Sequence, residues 1–199
     1  RRIAGIAGPM LKKVSLELGG KNPTLVFADS DWRAHMDTIV RSVFQNSGQI
    51  CLCGSRILVE RGIYHEFRDA LVERALALRV GDPMDPDAQM GPLVSQAHFD
   101  KVVAAIARGR DEGGRVLCGG EALDRPGWFV APTVIEGLGP DCATNREEIF
   151  GPVVTLQSFD DDAQALALAN AGDYGLAASI WTRDLNRAHR LAATIHAGI

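Results

Sequence analysis

Phe44-Gln45-Asn46-Ser47-Gly48-Gln49-Ile50-Cys51-Leu52-Cys53-Gly54-Ser55-Arg56 is the stretch on which the reading of this chain turns. Upstream of it, Trp32, Met36, Ile39, Val40, Val43 and Phe44 recur at three- and four-residue steps, the spacing of an apolar helical face. Asn46, Ser47 and Gly48 break that face and permit a turn. Ile57-Leu58-Val59 then forms a short, continuous apolar run, as in a buried strand. Cys51 thus falls where a helix end meets a strand start, a junction where rigid elements can hold a thiol while one side stays open. A cysteine in apolar company is usually an inert hydrophobe, since reactivity needs thiolate character and access. Gly48, which permits close backbone approach, and the polar Gln49 favour a reactive thiol.

Outward from this junction the pattern alternates between strand and helix. On the amino-terminal side, Val14, Leu16 and Leu18 alternate with Lys13, Ser15 and Glu17, which predicts a half-buried strand closed by Gly19-Gly20. Glu17 would lie near its carboxyl end, the edge where open α/β sheets bind ligands. Thr24 to Phe27 reads as a second strand, and Ser30 or Asp31 as the cap of the helix through Trp32. On the other side, residues 62 to 79 give an amphipathic helix on Ile63, Phe67, Leu71, Ala75 and Leu78. Ser95 caps a further helix carrying Phe99, Val102, Val103 and Ile106. Strands are expected at Val116 to Cys118, within Gly127 to Val134, at Val153 to Leu156 and within Gly175 to Trp181, with Trp128 and Phe129 in the core. Helices are expected after Asp160-Asp161-Asp162, whose charges suit a helix start, and from Leu185 to Ile195. The alternation predicts an α/β fold with a doubly wound, mostly parallel sheet.

Composition excludes several function classes. An apolar fraction of 46% and a charged fraction of 23% fit a soluble globular protein. Net charge is −4 with both signs mixed and no basic run, so a nucleic-acid surface is not expected. No apolar stretch approaches the ~20 residues that span a bilayer. Cys51, Cys53, Cys118 and Cys142 have no zinc-site spacing, the five histidines have no metal-ligand spacing, and the thiols read as reduced and cytoplasmic. Both ends read as cut: the first residues begin in mid-pattern, and Gly198 announces a strand that does not follow.

Leu16-Glu17-Leu18-Gly19-Gly20-Lys21-Asn22-Pro23, then Gly48-Gln49-Ile50-Cys51, then Glu147-Glu148-Ile149-Phe150-Gly151-Pro152-Val153 resembles, in order, three motifs of the aldehyde dehydrogenase superfamily. The run Ser47 to Glu60 is similar in particular to the 2-hydroxymuconic and 2-aminomuconic semialdehyde dehydrogenases. The resemblance implies the catalytic domain of such an enzyme at 20–199, with 1–19 as the end of its dinucleotide-binding domain. It implies that Cys51 attacks the aldehyde carbon, that hydride passes to the cofactor, and that Glu17 activates the water that hydrolyses the thioester. The backbone N–H of Cys51 would donate to the oxyanion, alongside an asparagine from an earlier segment. Cofactor contacts are implied for Leu18, Gly19, Lys101, Glu148 and Phe150, with Glu148 accepting from the nicotinamide ribose. His98 stands where many members carry glutamine. The implied cofactor is NAD, with NADP left open because the ribose-selecting residues lie upstream. The implied partners are a small-molecule aldehyde and further copies of the chain, as homodimer or homotetramer. Cys53 would back the pocket, and Ile50 and Leu52 would shape it. Two other readings stand beside this one: a non-catalytic relative that kept the fold, against which Cys51 and Glu17 both argue, and a thiol hydrolase, which would need a histidine at the thiol.

Overall fold

The apolar runs pair into one six-stranded sheet in the computed structural model, which describes residues 2–199. The strands are β1 (Pro23–Val26), β2 (Arg56–Glu60), β3 (Arg115–Cys118), β4 (Thr133–Glu136), β5 (Val153–Phe159) and β6 (Ser179–Trp181), in the spatial order β3-β4-β5-β2-β1-β6. All pairings are parallel except β3 with β4. In the centre, Leu25 stands beside Leu58, and Ile57 beside Leu156. Central parallel strands are covered on both faces, which is why these runs are apolar without alternation.

The α-helices of the described residues are α1 (Arg2–Ala7), α2 (Met36–Phe44), α3 (Tyr64–Leu76), α4 (Gln96–Asp111), α5 (Ala143–Arg146), α6 (Asp162–Ala169) and α7 (Leu185–Ala192). One face of the sheet buries Val26, Ile57, Val59, Val134 and Leu156 against Met36, Ile39, Val40 and Val43 of α2 and Phe67, Leu71 and Ala75 of α3. The opposite face buries Ile135 and Val153 against Val102 and Ile106 of α4. Leu25, Leu58 and Phe159 on that side meet Ala165 of α6 and Leu191 of α7. Helices on both faces of a mostly parallel sheet are the doubly wound arrangement the sequence predicts.

Caps follow the side-chain chemistry. Ser95 accepts from the His98 N–H, Asp161 from Gln164 and Asp184 from Arg187, each opening a helix. Ser30 and Asp31 do not cap α2, which begins later, after His35. The Ser30 hydroxyl instead donates to the Phe27 carbonyl.

The strand expected over residues 13 to 18 is absent. Residues 12–22 have no regular structure, and Val14, Leu16 and Leu18 are exposed. A strand needs a neighbour to take its backbone hydrogen bonds, and no described strand lies alongside this segment: β1 is already flanked by β2 and β6. Trp128 is also not core. It is 38% exposed, with its indole N–H donating to Gln96, whereas Phe129 is buried. No described helix is long and apolar enough to cross a membrane.

Candidate active site

Three loops, each leading into the amino end of a parallel strand, meet at one place. Gly19–Asn22 leads into β1, the Gln45–Ser55 turn into β2, and Glu147–Pro152 into β5; these strands are neighbours in the sheet. The site lies at the amino edge of these strands, opposite the edge that open α/β sheets usually use.

The turn carrying Cys51 is built by an unusual run. Asn46, Ser47 and Gly48 all have positive φ (51°, 57° and 71°), so the chain reverses hand directly after α2. Side chains hold this conformation. The Ser47 hydroxyl donates to the Gly91 carbonyl, Asn46 Nδ2 donates to the Gln49 carbonyl, and Gln49 Oε1 accepts from the Val94 N–H. Gly48 has no alternative residue, because a Cβ there would collide with the Gly151 carbonyl.

Asn22 ties the first loop to the second. Its Nδ2 donates to the carbonyls of Cys51 (2.7 Å) and Cys53 (2.9 Å), and its Oδ1 accepts from Ala177 N–H (3.1 Å). The side chain is buried and its amide fully engaged, so both ends of the Cys51–Cys53 turn are fixed. Cys51 itself is half-buried, whereas Cys53 is buried, and burial pushes the Cys53 thiol up.

Glu148 ties the third loop to the first. Its Oε1 accepts from the Gly20 N–H at 2.9 Å, and a Cβ on Gly19 would collide with its carboxylate. Phe150 adopts φ 59°, its carbonyl bonded to His98 Nε2 at 2.6 Å. Gly20, Gly48, Cys53, Glu148 and Phe150 line one interior gap of about 10 Å³, room for a single water at most. Lys101 and Glu148 flank a common recess of about 380 Å³ with Arg108 and Glu147. Three larger recesses, of about 520, 570 and 430 Å³, touch the three loops only at Gln45, so convergence of side chains rather than size locates the site.

The structure therefore brings together Cys51, Gly19, Glu148, Phe150 and, at the rim, Lys101. It does not bring Glu17 in. Glu17 is exposed on the irregular segment before Gly19 and makes no hydrogen bond or ion pair with a described residue, and Leu18 beside it is 65% exposed. Sequence reasoning misses the role of Asn22. Asn22 stands before a proline, where a turn explains it equally well, and its partners lie 29 and 31 residues away.

The whole described chain, with Arg1, matches the model of the aldehyde dehydrogenase family over residues 1–199. The chain belongs to the aldehyde dehydrogenase family. It is similar to betaine aldehyde dehydrogenase of Cereibacter sphaeroides, 47% identical over 198 residues, with 100% of this chain covered and 41% of the relative. It is almost equally similar to the 2-aminomuconic 6-semialdehyde dehydrogenase of a Pseudomonas species, 46% identical over 195 residues, covering 95% of this chain and 40% of the relative. The crystal structure of betaine aldehyde dehydrogenase from Staphylococcus aureus in complex with NAD+ superposes with a TM-score of 0.93 at 35% identity, over 99% of this chain and 40% of that one. The chain thus spans about two fifths of the length of these aldehyde dehydrogenases. Two relatives named for different aldehydes match within one percentage point, so overall identity does not select a substrate.

Proposed function

We propose that this chain supplies the thiol-bearing part of an NAD-dependent aldehyde dehydrogenase, oxidising an aldehyde to its carboxylic acid through an acyl group carried on Cys51. The observation that carries the reading is the double tie of the site: Asn22 clamps the backbone around Cys51, and Glu148 anchors to the backbone two residues before Asn22. Cys51, half-buried on a fixed turn, attacks the aldehyde carbon, and its backbone N–H steadies the resulting oxyanion. NAD, when bound, accepts hydride from the carbon held on that sulfur. Glu148 has one carboxylate oxygen bonded to Gly20 and a second without a described donor, which suits acceptance from a ribose hydroxyl. Lys101, on the rim of the same recess, suits a second contact to the cofactor, and Phe150 is held by His98 beside the thiol loop. Glu17 activates the water that releases the acid, which requires its exposed segment to be covered and aimed by other parts of the enzyme. Burial starts abruptly at Gly20, which supports assigning 1–19 to a cofactor-binding unit and 20–199 to the catalytic one.

A thiol hydrolase is disfavoured because no described histidine hydrogen-bonds Cys51; His98 is engaged with Phe150. The test is steady-state oxidation of an aldehyde panel, including betaine aldehyde and ring-cleavage semialdehydes, by the full-length protein with NAD. NADH production from at least one member is expected. Hydrolysis of thioesters with no aldehyde oxidation would overturn the reading.

A further inference from the structure

Lys21 lies between the two ties of the site, directly after Gly20 and directly before Asn22. Its side chain is 2% exposed, and its Nζ has no hydrogen-bond partner among the described residues. The neighbouring buried cation is in the opposite condition: each guanidinium nitrogen of Arg56 donates to a carbonyl, of Lys21, Leu168 and Ala169. An ammonium buried without an acceptor is costly, so such an amine either sheds its proton or recruits a carboxylate. The charged groups bearing on it are Arg56 at the start of β2, Arg108 on α4, and Glu147 and Glu148 in the loop before β5. Glu147 is already committed, as Oε2 accepts from Arg108 at 2.7 Å. Glu148 is the less exposed of the two, bonds the backbone N–H directly before the lysine, and keeps its Oε2 without a described donor.

We propose that Lys21 is a positioning residue that competes with the cofactor ribose for Glu148: protonated, it draws the free carboxylate oxygen inward; unprotonated, it leaves that oxygen for a ribose hydroxyl. The inference rests on the reading that Glu148 receives the ribose. Burial, reinforced by Arg56 and Arg108 and opposed by Glu148 and Glu147, lowers Lys21 to about 7, so the competition falls near neutrality. Coupling of this kind is reciprocal: a proton on Lys21 weakens NAD binding, and NAD binding expels the proton to the buffer. Affinity therefore rises as pH passes upward through neutrality and levels off once the lysine is neutral.

The experiment is calorimetric titration of the full-length protein with NAD, in buffers of different ionisation enthalpy, between about pH 6 and pH 8. Net proton release near neutrality is expected, with affinity roughly tenfold weaker at the acid end, the effect of a shift of about one pKa unit on binding. Lys21→Met should release no proton and hold the alkaline wild-type affinity throughout. Glu148→Gln, a second route should the methionine variant not fold, should also release none and bind NAD weakly at every pH. NAD binding by the wild type without proton release, or an unchanged pH profile in Lys21→Met, would overturn the inference alone. No NAD binding at any pH would overturn the cofactor reading, and the inference with it.

Discussion

Cys51 and Cys53 stand two residues apart on one turn and are nevertheless different thiols. Asn22 holds both carbonyls, but only Cys51 has part of its surface open, and burial moves the Cys53 thiol further from ionisation. In the proposed mechanism the thiolate is the nucleophile, so access and the raised Cys53 thiol favour Cys51 over Cys53. In the full-length protein, Cys51→Ser should abolish aldehyde oxidation, because a serine hydroxyl at neutral pH is a far weaker nucleophile. Cys53→Ser should keep most of the rate, its cost falling on stability through a hydroxyl in an apolar site. Initial rates of NADH formation compare the two, and the reverse order would move the nucleophile to Cys53. At this scale the sequence is legible where a residue's role is local. Gly48 announces a turn and Cys51 a half-open thiol on it, but Asn22 and Glu148 act on backbone groups 29 to 128 residues away, which no local pattern encodes.

The elements behave likewise. Helices α2, α3 and α4 and strands β1, β2 and β5 are predicted because their apolar periods arise from burial inside this chain, where their partners are present. The alternation at residues 13 to 18 is as regular, yet there is no strand, since period alone does not say whether a neighbouring ladder exists. Trp128 fails for a related reason: an aromatic beside a buried Phe129 reads as core, while its N–H reaches Gln96 at the surface. The tie between the thiol turn and the loop before β5 makes a prediction of its own. Gly48→Ala adds a Cβ at positive φ that meets the Gly151 carbonyl, so backbone has to move in both loops. The expected loss is about 2–4 kcal/mol of stability, with activity falling because Cys51 moves with the turn. Gly62→Ala, where a Cβ meets nothing within 4 Å, should stay within about 0.5 kcal/mol of wild type. Denaturant midpoints of the two variants compare them; equal midpoints would show that the turn tolerates a side chain.

Across the whole molecule, the three loops work because adjacent parallel strands β1, β2 and β5 start side by side, so residues far apart in sequence share one edge. That edge is the amino end, so a search guided by the usual carboxyl-end rule would look on the wrong side of the sheet. Glu17 and Leu18 lie on an exposed segment, and the Oε2 of Glu148 has no described donor. The central claim is that an acyl group is carried on Cys51 and released by water that Glu17 activates. Its most direct test is a single-turnover experiment on the full-length Glu17→Gln variant with NAD and a good aldehyde substrate, followed by mass spectrometry. The amide is nearly isosteric but cannot take the water's proton, which should slow release by roughly a hundred- to ten-thousand-fold. The account predicts a burst approaching one NADH per site, then a slow phase during which Cys51 carries the acyl mass. Wild-type turnover with no burst and an unmodified Cys51 would contradict it.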